Sequence, residues 1–193
     1  MKLGEILVTA TPSDSKRWDP SKYDLSARVK LGPSEMGLDI YTISHGVMVM
    51  YALFKQDTYI ASVCGHPWDN YFVIVDTYVV PEFRRMGYIT TLYIDLIKRY
   101  NIKLMSDIEQ TPNGTLIWDA LKRRCNISSY NMNTKEILPV DSTPGDIYSY
   151  YPDDGYRYRL IAEAYPPPPF EIPNPTLNEW YGYMNLSNNP DYE

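Results

Sequence analysis

The segment whose residue types most clearly suggest chemistry is Tyr78–Thr90, with the sequence YVVPEFRRMGYIT. It follows a strongly apolar run, passes Pro81 and two adjacent arginines, and reaches Gly87 before a stretch with helical spacing. A strand that turns through a basic, glycine-bearing loop into a helix directs backbone N–H groups and the positive helix end at one place. Such a corner can hold a phosphate or pyrophosphate, and Arg84 and Arg85 would add positive charge beside it.

The same turn has a plainer interpretation, as an ordinary strand-to-helix connection with two solvent-facing arginines. The elements before it bear on this choice. Tyr71–Val80 is apolar on both faces, which is typical of a central buried strand. The β-branched and aromatic runs Val47–Phe54 and Thr58–Cys64 predict a hairpin, and the alternation in Leu38–Ser44 predicts another strand. A central strand that ends at Pro81 therefore leads directly into the basic loop.

Two helices are predicted after the loop. One apolar stripe recurs at the α-helical period from Ile89 to Tyr100, and we interpret it as core. A short strand follows at Ile102–Ser106, and a second helix runs over Thr111–Leu121 from a threonine N-cap and a proline. This strand–helix–strand order predicts a βαβ unit with parallel pairing. Two later strands are predicted at Glu136–Val140 and Tyr156–Ala164.

Composition limits the classes of function. The 193 residues suit one domain over 1–164, followed by a Pro- and Tyr-rich extension at 165–193. Residues 1–140 hold 16 Lys/Arg and 15 Asp/Glu, whereas residues 141–193 hold 2 and 9. This balance argues against general nucleic-acid binding, which needs many cations, but it leaves a local basic groove open. No apolar run of about 18 residues predicts a membrane span. Two isolated cysteines and two separate histidines predict neither a disulfide framework nor a metal site, and they favour a reducing, cytoplasmic compartment.

The basic segment, read as Val79-x-Pro81-Glu82-Phe83-Arg84-Arg85-x-Gly87, resembles the V-x-P-x-[YF]-R-G-x-G cofactor motif of the GNAT acyltransferase superfamily. The order of elements from Val47 to Leu121 is also similar to that family. The resemblance implies an α/β fold: a GNAT-like mixed central sheet with an antiparallel N-terminal hairpin, a splayed parallel pair and flanking helices. It also implies acetyl-coenzyme A as the cofactor, with its thioester in the cleft between the splayed strands.

The resemblance assigns roles by position. The strand edge at Val79 and Val80 would hydrogen-bond the pantetheine arm of the cofactor. Arg84 occupies the position where the family has glutamine or arginine. The pyrophosphate would be held by the backbone amides of the remaining loop and first helical turn, namely Arg85, Met86, Gly87, Tyr88, Ile89 and Thr90.

Three departures from the family pattern weigh on catalysis more than on cofactor binding. Ile89 stands where the family usually has glycine or alanine, and a β-branched side chain there would crowd a phosphate. Trp118 stands where the family often has a tyrosine that protonates the leaving thiolate, and an indole cannot act as that acid. Lys122-Arg123 replaces the Gly-Phe pair that usually closes the second helix, whereas its small residue is present as Gly114.

The catalytic candidates are an acid and a base for acyl transfer to an amine. Asp76 is the first candidate for the base, because it is a lone carboxylate in an apolar strand, where burial raises a carboxyl pKa. The alternative is a carboxylate satisfied by neighbouring backbone or by an arginine. Asp107 and Glu109 are further candidates or simply loop residues. Tyr130 or Tyr158 would replace the missing acid.

Two functional hypotheses follow. The first is an acyl-coenzyme A-dependent N-acyltransferase that acts on an amine, either a small molecule or a protein lysine, whose positive charge would suit the acidic C-terminal region. The second is a catalytically inactive GNAT-fold protein that binds a protein partner or serves as a structural component through its C-terminal extension. The tyrosine richness and the diverged motif also resemble phage-encoded acetyltransferase-like proteins, in which case the compartment would be the host cytoplasm.

Overall fold

The computed structural model describes residues 25–108, 110–142 and 158–164, which form one nine-stranded sheet and two α-helices. The helices are α1 (Tyr88–Lys98) and α2 (Pro112–Leu121). The strands, in chain order, are β1 (Val29–Pro33), β2 (Asp39–His45), β3 (Met48–Lys55), β4 (Thr58–Trp68), β5 (Tyr71–Val79), β6 (Leu104–Met105), β7 (Asn126–Asn131), β8 (Ile137–Pro139) and β9 (Tyr158–Glu163).

The order of strands across the sheet is β1-β2-β3-β4-β5-β6-β9-β7-β8. Each neighbouring pair is antiparallel except β5 and β6, which are parallel because α1 carries the chain back across the sheet between them. The predicted architecture is confirmed: antiparallel N-terminal strands lead into one parallel βαβ unit in a mixed α/β sheet. The predicted central strand, β5, lies fifth of nine.

Several predicted boundaries were wrong. The predicted hairpin strand at Thr58–Cys64 continues to Trp68, because Gly65 lets β4 approach the Val73 carbonyl oxygen, with which a Cβ would collide. The region before the first predicted strand was not interpreted from the sequence, and its described part holds a 3₁₀ turn over Leu25–Ala27 followed by β1. Strand β7 was not predicted, since its sequence NISSYN lacks an apolar alternation. The predicted strands at 136–140 and 156–164 are shorter, and residues 156 and 157 lie outside the described residues.

Both helices pack on one face of the sheet. There they form the largest apolar cluster, the helix-side cluster or helix-side core, with β2 to β6 and β9. The predicted stripe of α1 is confirmed as core: Leu92, Tyr93, Leu96 and Ile97 are all buried. Side chains alternate between the faces of a strand, so two smaller clusters, around Met50 and Cys64 and around Val73 and Tyr130, occupy the opposite face.

No helix within the described ranges is long and apolar enough to cross a membrane. The C-terminal extension predicted at residues 165–193 lies outside the described residues.

Candidate functional site

Strands β5 and β6 pair over only two positions, Phe72 with Leu104 and Val73 with Met105. Strand β5 then continues to Val79, whereas β6 ends. The register with β4 shifts at the same level, so that Val75 is an extra residue in β5. A bulge of this kind bends a strand and increases its twist. The second half of β5 therefore has an edge that faces away from β4 and has lost its parallel neighbour, as the splayed pair predicted from the family resemblance would have.

The loop after β5 presents the start of α1. A 3₁₀ turn over Pro81–Phe83 leads to Arg85 at φ 65° and Gly87 at φ 79°, both left-handed. Gly87 is the N-cap of α1, no side chain caps the helix, and a Cβ built on Gly87 would meet nothing within 4 Å. The first helical hydrogen bond joins Thr91 N–H to the Gly87 carbonyl at 3.0 Å. The amides of residues 88–90 are therefore left for an external acceptor.

The arginines and the strand edge meet beside this helix start. Arg84 and Arg85 are exposed, and the neighbouring Met86 side chain is 55% exposed. Arg84 Nε donates to the Val79 carbonyl oxygen at 3.2 Å. The Val80 N–H donates to the Ile60 carbonyl of β4 at 3.0 Å, so by strand alternation the backbone groups of Val79 face the open edge. A ligand amide on this edge would lie against the backbone of Val79, with the Arg84 side chain beside it.

The side chains of the first residues of α1 pack against the core. Tyr88 packs edge-on against Phe83, with ring centroids 6.0 Å apart. Tyr88 and Ile89 are half-buried against the helix-side cluster, and Thr90 is half-buried as well. The branched side chain of Ile89, which the sequence suggested would crowd a phosphate, thus packs on the core.

Asp76 is half-buried on β5, directly opposite Cys64 of β4. Burial and the negative charge of Asp76 together raise the pKa of the Cys64 thiol to about 12. Asp76 Oδ1 accepts a hydrogen bond from the Thr77 N–H at 2.7 Å. This contact matches the alternative in which neighbouring backbone satisfies the carboxylate, and it also keeps Asp76 at the open edge of β5.

Of the two candidate acids, Tyr130 lies away from Asp76, whereas Tyr158 lies on β9, two strands from β5. Tyr130 is buried, and its ring packs edge-on against Trp68 and Tyr71 near the turn between β4 and β5, at the opposite end of β5 from the loop. Burial raises the pKa of Tyr130. Tyr158 begins β9 opposite Asn131 and is half-buried. Strands β6 and β9 lie between β5 and β7. At ~4.8 Å between neighbouring strands, the distance from β5 to Tyr130 on β7 is about 14 Å.

The remaining candidates occupy other positions. Trp118 is only 4% exposed and belongs to the helix-side core. Asp107 lies 3.9 Å from the Arg159 guanidinium and accepts from the Ile108 N–H at 2.7 Å, while Glu109 is outside the described residues. The described residues contain no group of three or more His, Cys, Asp or Glu side chains that could hold a metal ion.

One polar pair was missed by the sequence interpretation. The hydroxyls of Thr77 on β5 and Tyr93 on α1 lie 2.8 Å apart. Tyr93 was predicted as part of the apolar stripe, and Thr77 lies one position after Asp76. The two residues are 16 positions apart, so only the packing of α1 on β5 brings their hydroxyls together.

Comparison with known proteins gives little sequence likeness. No family model matches the chain, and no curated protein matches it. A solved structure described as "Putative acetyltransferase from GNAT family from Bacteroides thetaiotaomicron" is similar over 76% of this chain and 74% of its own length, at 11% sequence identity and a TM-score of 0.38.

Proposed function

We propose that the protein binds an acyl-coenzyme A at the corner between β5 and α1 and transfers the acyl group, an acetyl group, to an amine. The observation that carries the proposal is the left-handed Arg85–Gly87 loop, which leaves the start of α1 uncapped. This start lies directly after the strand that loses its parallel neighbour. Phosphate groups, including a diphosphate, are ligands that such a helix start accepts.

The rest of the cofactor fits the same edge. The pyrophosphate would accept hydrogen bonds from the amides of residues 88–90, with Arg84 and Arg85 supplying positive charge. The pantetheine arm would follow the open edge at Val79, and the thioester would reach the level of Asp76 and Thr77. At that level the pairing with β6 has ended, and the acceptor would approach the thioester there.

The reaction needs an unprotonated amine and a stabilised thiolate. The amine nitrogen attacks the thioester carbonyl carbon, the C–S bond breaks, and sulfur keeps the electron pair. Asp76 is the residue we assign to proton removal from the amine, because it lies at this edge. Positioning and backbone donors can supply most of the acceleration. The acceptor class in this proposal is a cationic amine, a small molecule or a protein lysine, in the cytoplasm of the cell or of a phage host.

A second candidate function is a non-catalytic GNAT-type protein that binds a partner. The buried position of Trp118 and the packing of Tyr130 near the β4–β5 turn favour it, because neither side chain is placed to protonate a thiolate at Asp76. Release of free thiol that depends on an added amine would exclude this alternative.

Thermal unfolding with and without acetyl-coenzyme A tests the cofactor assignment. At about 100 times its dissociation constant a ligand adds roughly 2.7 kcal/mol to the free energy of unfolding, which raises the melting temperature by several degrees. S-acetylpantetheine, which keeps the thioester and the pantetheine arm but lacks the diphosphate and the adenosine, is the control and should give a much smaller shift. Equal shifts from both compounds, or no shift with acetyl-coenzyme A, would contradict binding at the α1 start.

A further inference from the structure

The hydroxyl pair of Thr77 and Tyr93 joins the strand and the helix that form the proposed cofactor site. Thr77 is half-buried and follows both the bulge at Val75 and the last residue that pairs with β6. Tyr93 is the sixth residue of α1, is 2% exposed and belongs to the apolar cluster between the helices and the sheet. The 2.8 Å contact thus runs from the interior of the protein to the edge on which the thioester would lie.

Burial favours one direction for this hydrogen bond. A buried phenol places its hydrogen on an acceptor, and within the described ranges the contact of the Tyr93 hydroxyl is Thr77 Oγ. Burial also raises the pKa of Tyr93 above its usual value. Either hydroxyl could donate in this contact, and we take Tyr93 as the donor because its buried hydrogen then has an acceptor. A threonine hydroxyl has one hydrogen of its own, which must then point away from Tyr93.

Asp76 and Thr77 project to opposite faces of the same edge. The Thr77 N–H is held by Asp76 Oδ1 at 2.7 Å, and its side-chain oxygen is held by Tyr93. The Thr77 side chain is therefore fixed from both ends, through its backbone and through its oxygen. A donor held in this way loses little freedom when a ligand binds, which is the property of an electrostatic stabiliser that does not reorganise during reaction.

We propose that the Thr77 hydroxyl donates a hydrogen bond to the coenzyme A sulfur as the C–S bond breaks, with Tyr93 as the residue that positions it. This inference rests on the proposed function. The sulfur keeps the electron pair of the broken bond and leaves as a thiolate, which takes a proton from water. The amine proton goes to Asp76. Thr77 keeps its own proton throughout, because an aliphatic alcohol is too weak an acid to lose it. The pair would supply the thiolate stabilisation that Trp118, buried in the core, does not.

The test compares Thr77→Val with Thr77→Ser in the full chain, by amine-dependent release of free thiol. Valine keeps the shape and removes the hydroxyl, whereas serine keeps the hydroxyl. We expect Thr77→Val to lower kcat roughly 10- to 100-fold with the KM for acetyl-coenzyme A within about twofold, and Thr77→Ser to remain near the unmodified chain.

Tyr93→Phe separates positioning from direct contact. Its kcat should fall less than that of Thr77→Val, and the double variant should be no slower than Thr77→Val alone, since both changes remove one interaction. Melting temperature and acetyl-coenzyme A stabilisation of each variant report whether it is folded and binds. Unchanged kcat in folded Thr77→Val overturns the inference while the cofactor site stands. Cofactor binding without any thiol release in the unmodified chain also overturns it, whereas no binding at all overturns the proposed function.

Discussion

The starts of α1 and α2 are built in opposite ways, although both helices pack on the same face of the sheet. α2 begins with Thr111 in an extended conformation, whose side chain accepts a hydrogen bond from the Gly114 N–H at 3.1 Å. Pro112 at the first helical position brings no N–H that needs a partner. α1 begins with Gly87 in the left-handed region and has no side-chain cap.

The comparison identifies what makes a helix start available to an anion. Every α-helix has N-terminal amides without intrahelical partners, so the dipole alone does not distinguish α1 from α2. The difference lies in the residue before the helix: threonine satisfies one amide from within the chain, whereas glycine leaves the amides open and keeps space in front of them. Two exposed arginines stand beside the open start, and Lys122 and Arg123 lie at the far end of the closed one.

The largest effect is expected from a substitution that blocks the uncapped start of α1. Gly87→Glu puts a negative side chain into the space where the diphosphate would lie, and φ 79° strains any residue with a Cβ. The roughly 2.7 kcal/mol of stabilisation by saturating acetyl-coenzyme A should disappear. Thermal unfolding with and without the cofactor measures it.

Gly46→Glu is the matched control for that variant. Gly46 also has a positive φ, 59°, and a Cβ there meets nothing within 4 Å, but it lies in the β2–β3 turn. It should lose similar intrinsic stability and keep the full cofactor shift. If Gly87→Glu keeps the shift too, the diphosphate does not bind at α1.

An intermediate effect is expected at the capped start of α2. Thr111→Ala removes the cap of α2 and should lower the free energy of unfolding by about 1 kcal/mol. Because the capped amide belongs to another helix, the cofactor shift should stay unchanged. Denaturant unfolding gives the first quantity and the cofactor shift gives the second. A lowered shift would mean that α2 contributes to the ligand site.

Much of this contrast could be predicted from the sequence. Glycine after two arginines and a proline-ended strand indicated the loop, and Thr111 before Pro112 indicated the cap of α2. Local residue types decide both features, because each involves a few adjacent positions. The apolar run of β5 likewise predicted a central strand, since a strand buried on both faces needs no polar alternation.

The rest depended on contacts between distant parts of the chain. Strand β7 is formed mostly by polar residues, and it pairs with β9 on one side and β8 on the other. Tyr130 appeared as a possible acid, yet it packs on aromatic rings that the β4–β5 turn brings to it. The Thr77–Tyr93 pair forms because α1 packs on β5 with Tyr93 facing the strand. No local pattern encodes these placements.

The smallest effect is expected from the removal of one positive charge beside the start of α1. Arg85 and Lys135 are exposed cations with nearly equal left-handed φ values, 65° and 63°, but only Arg85 adjoins α1. Glycine at either position removes the charge and relieves the backbone, while it adds freedom to the unfolded chain, so both variants should change stability by less than about 1 kcal/mol. Arg85→Gly alone should weaken acetyl-coenzyme A binding, about three- to fivefold at low salt, because a cation beside a helix start contributes to anion binding over a short range. Titration calorimetry at two salt concentrations measures this difference, which should shrink at the higher one. Equal affinities of the two variants at low salt would show that the open backbone, rather than the arginine, attracts the diphosphate.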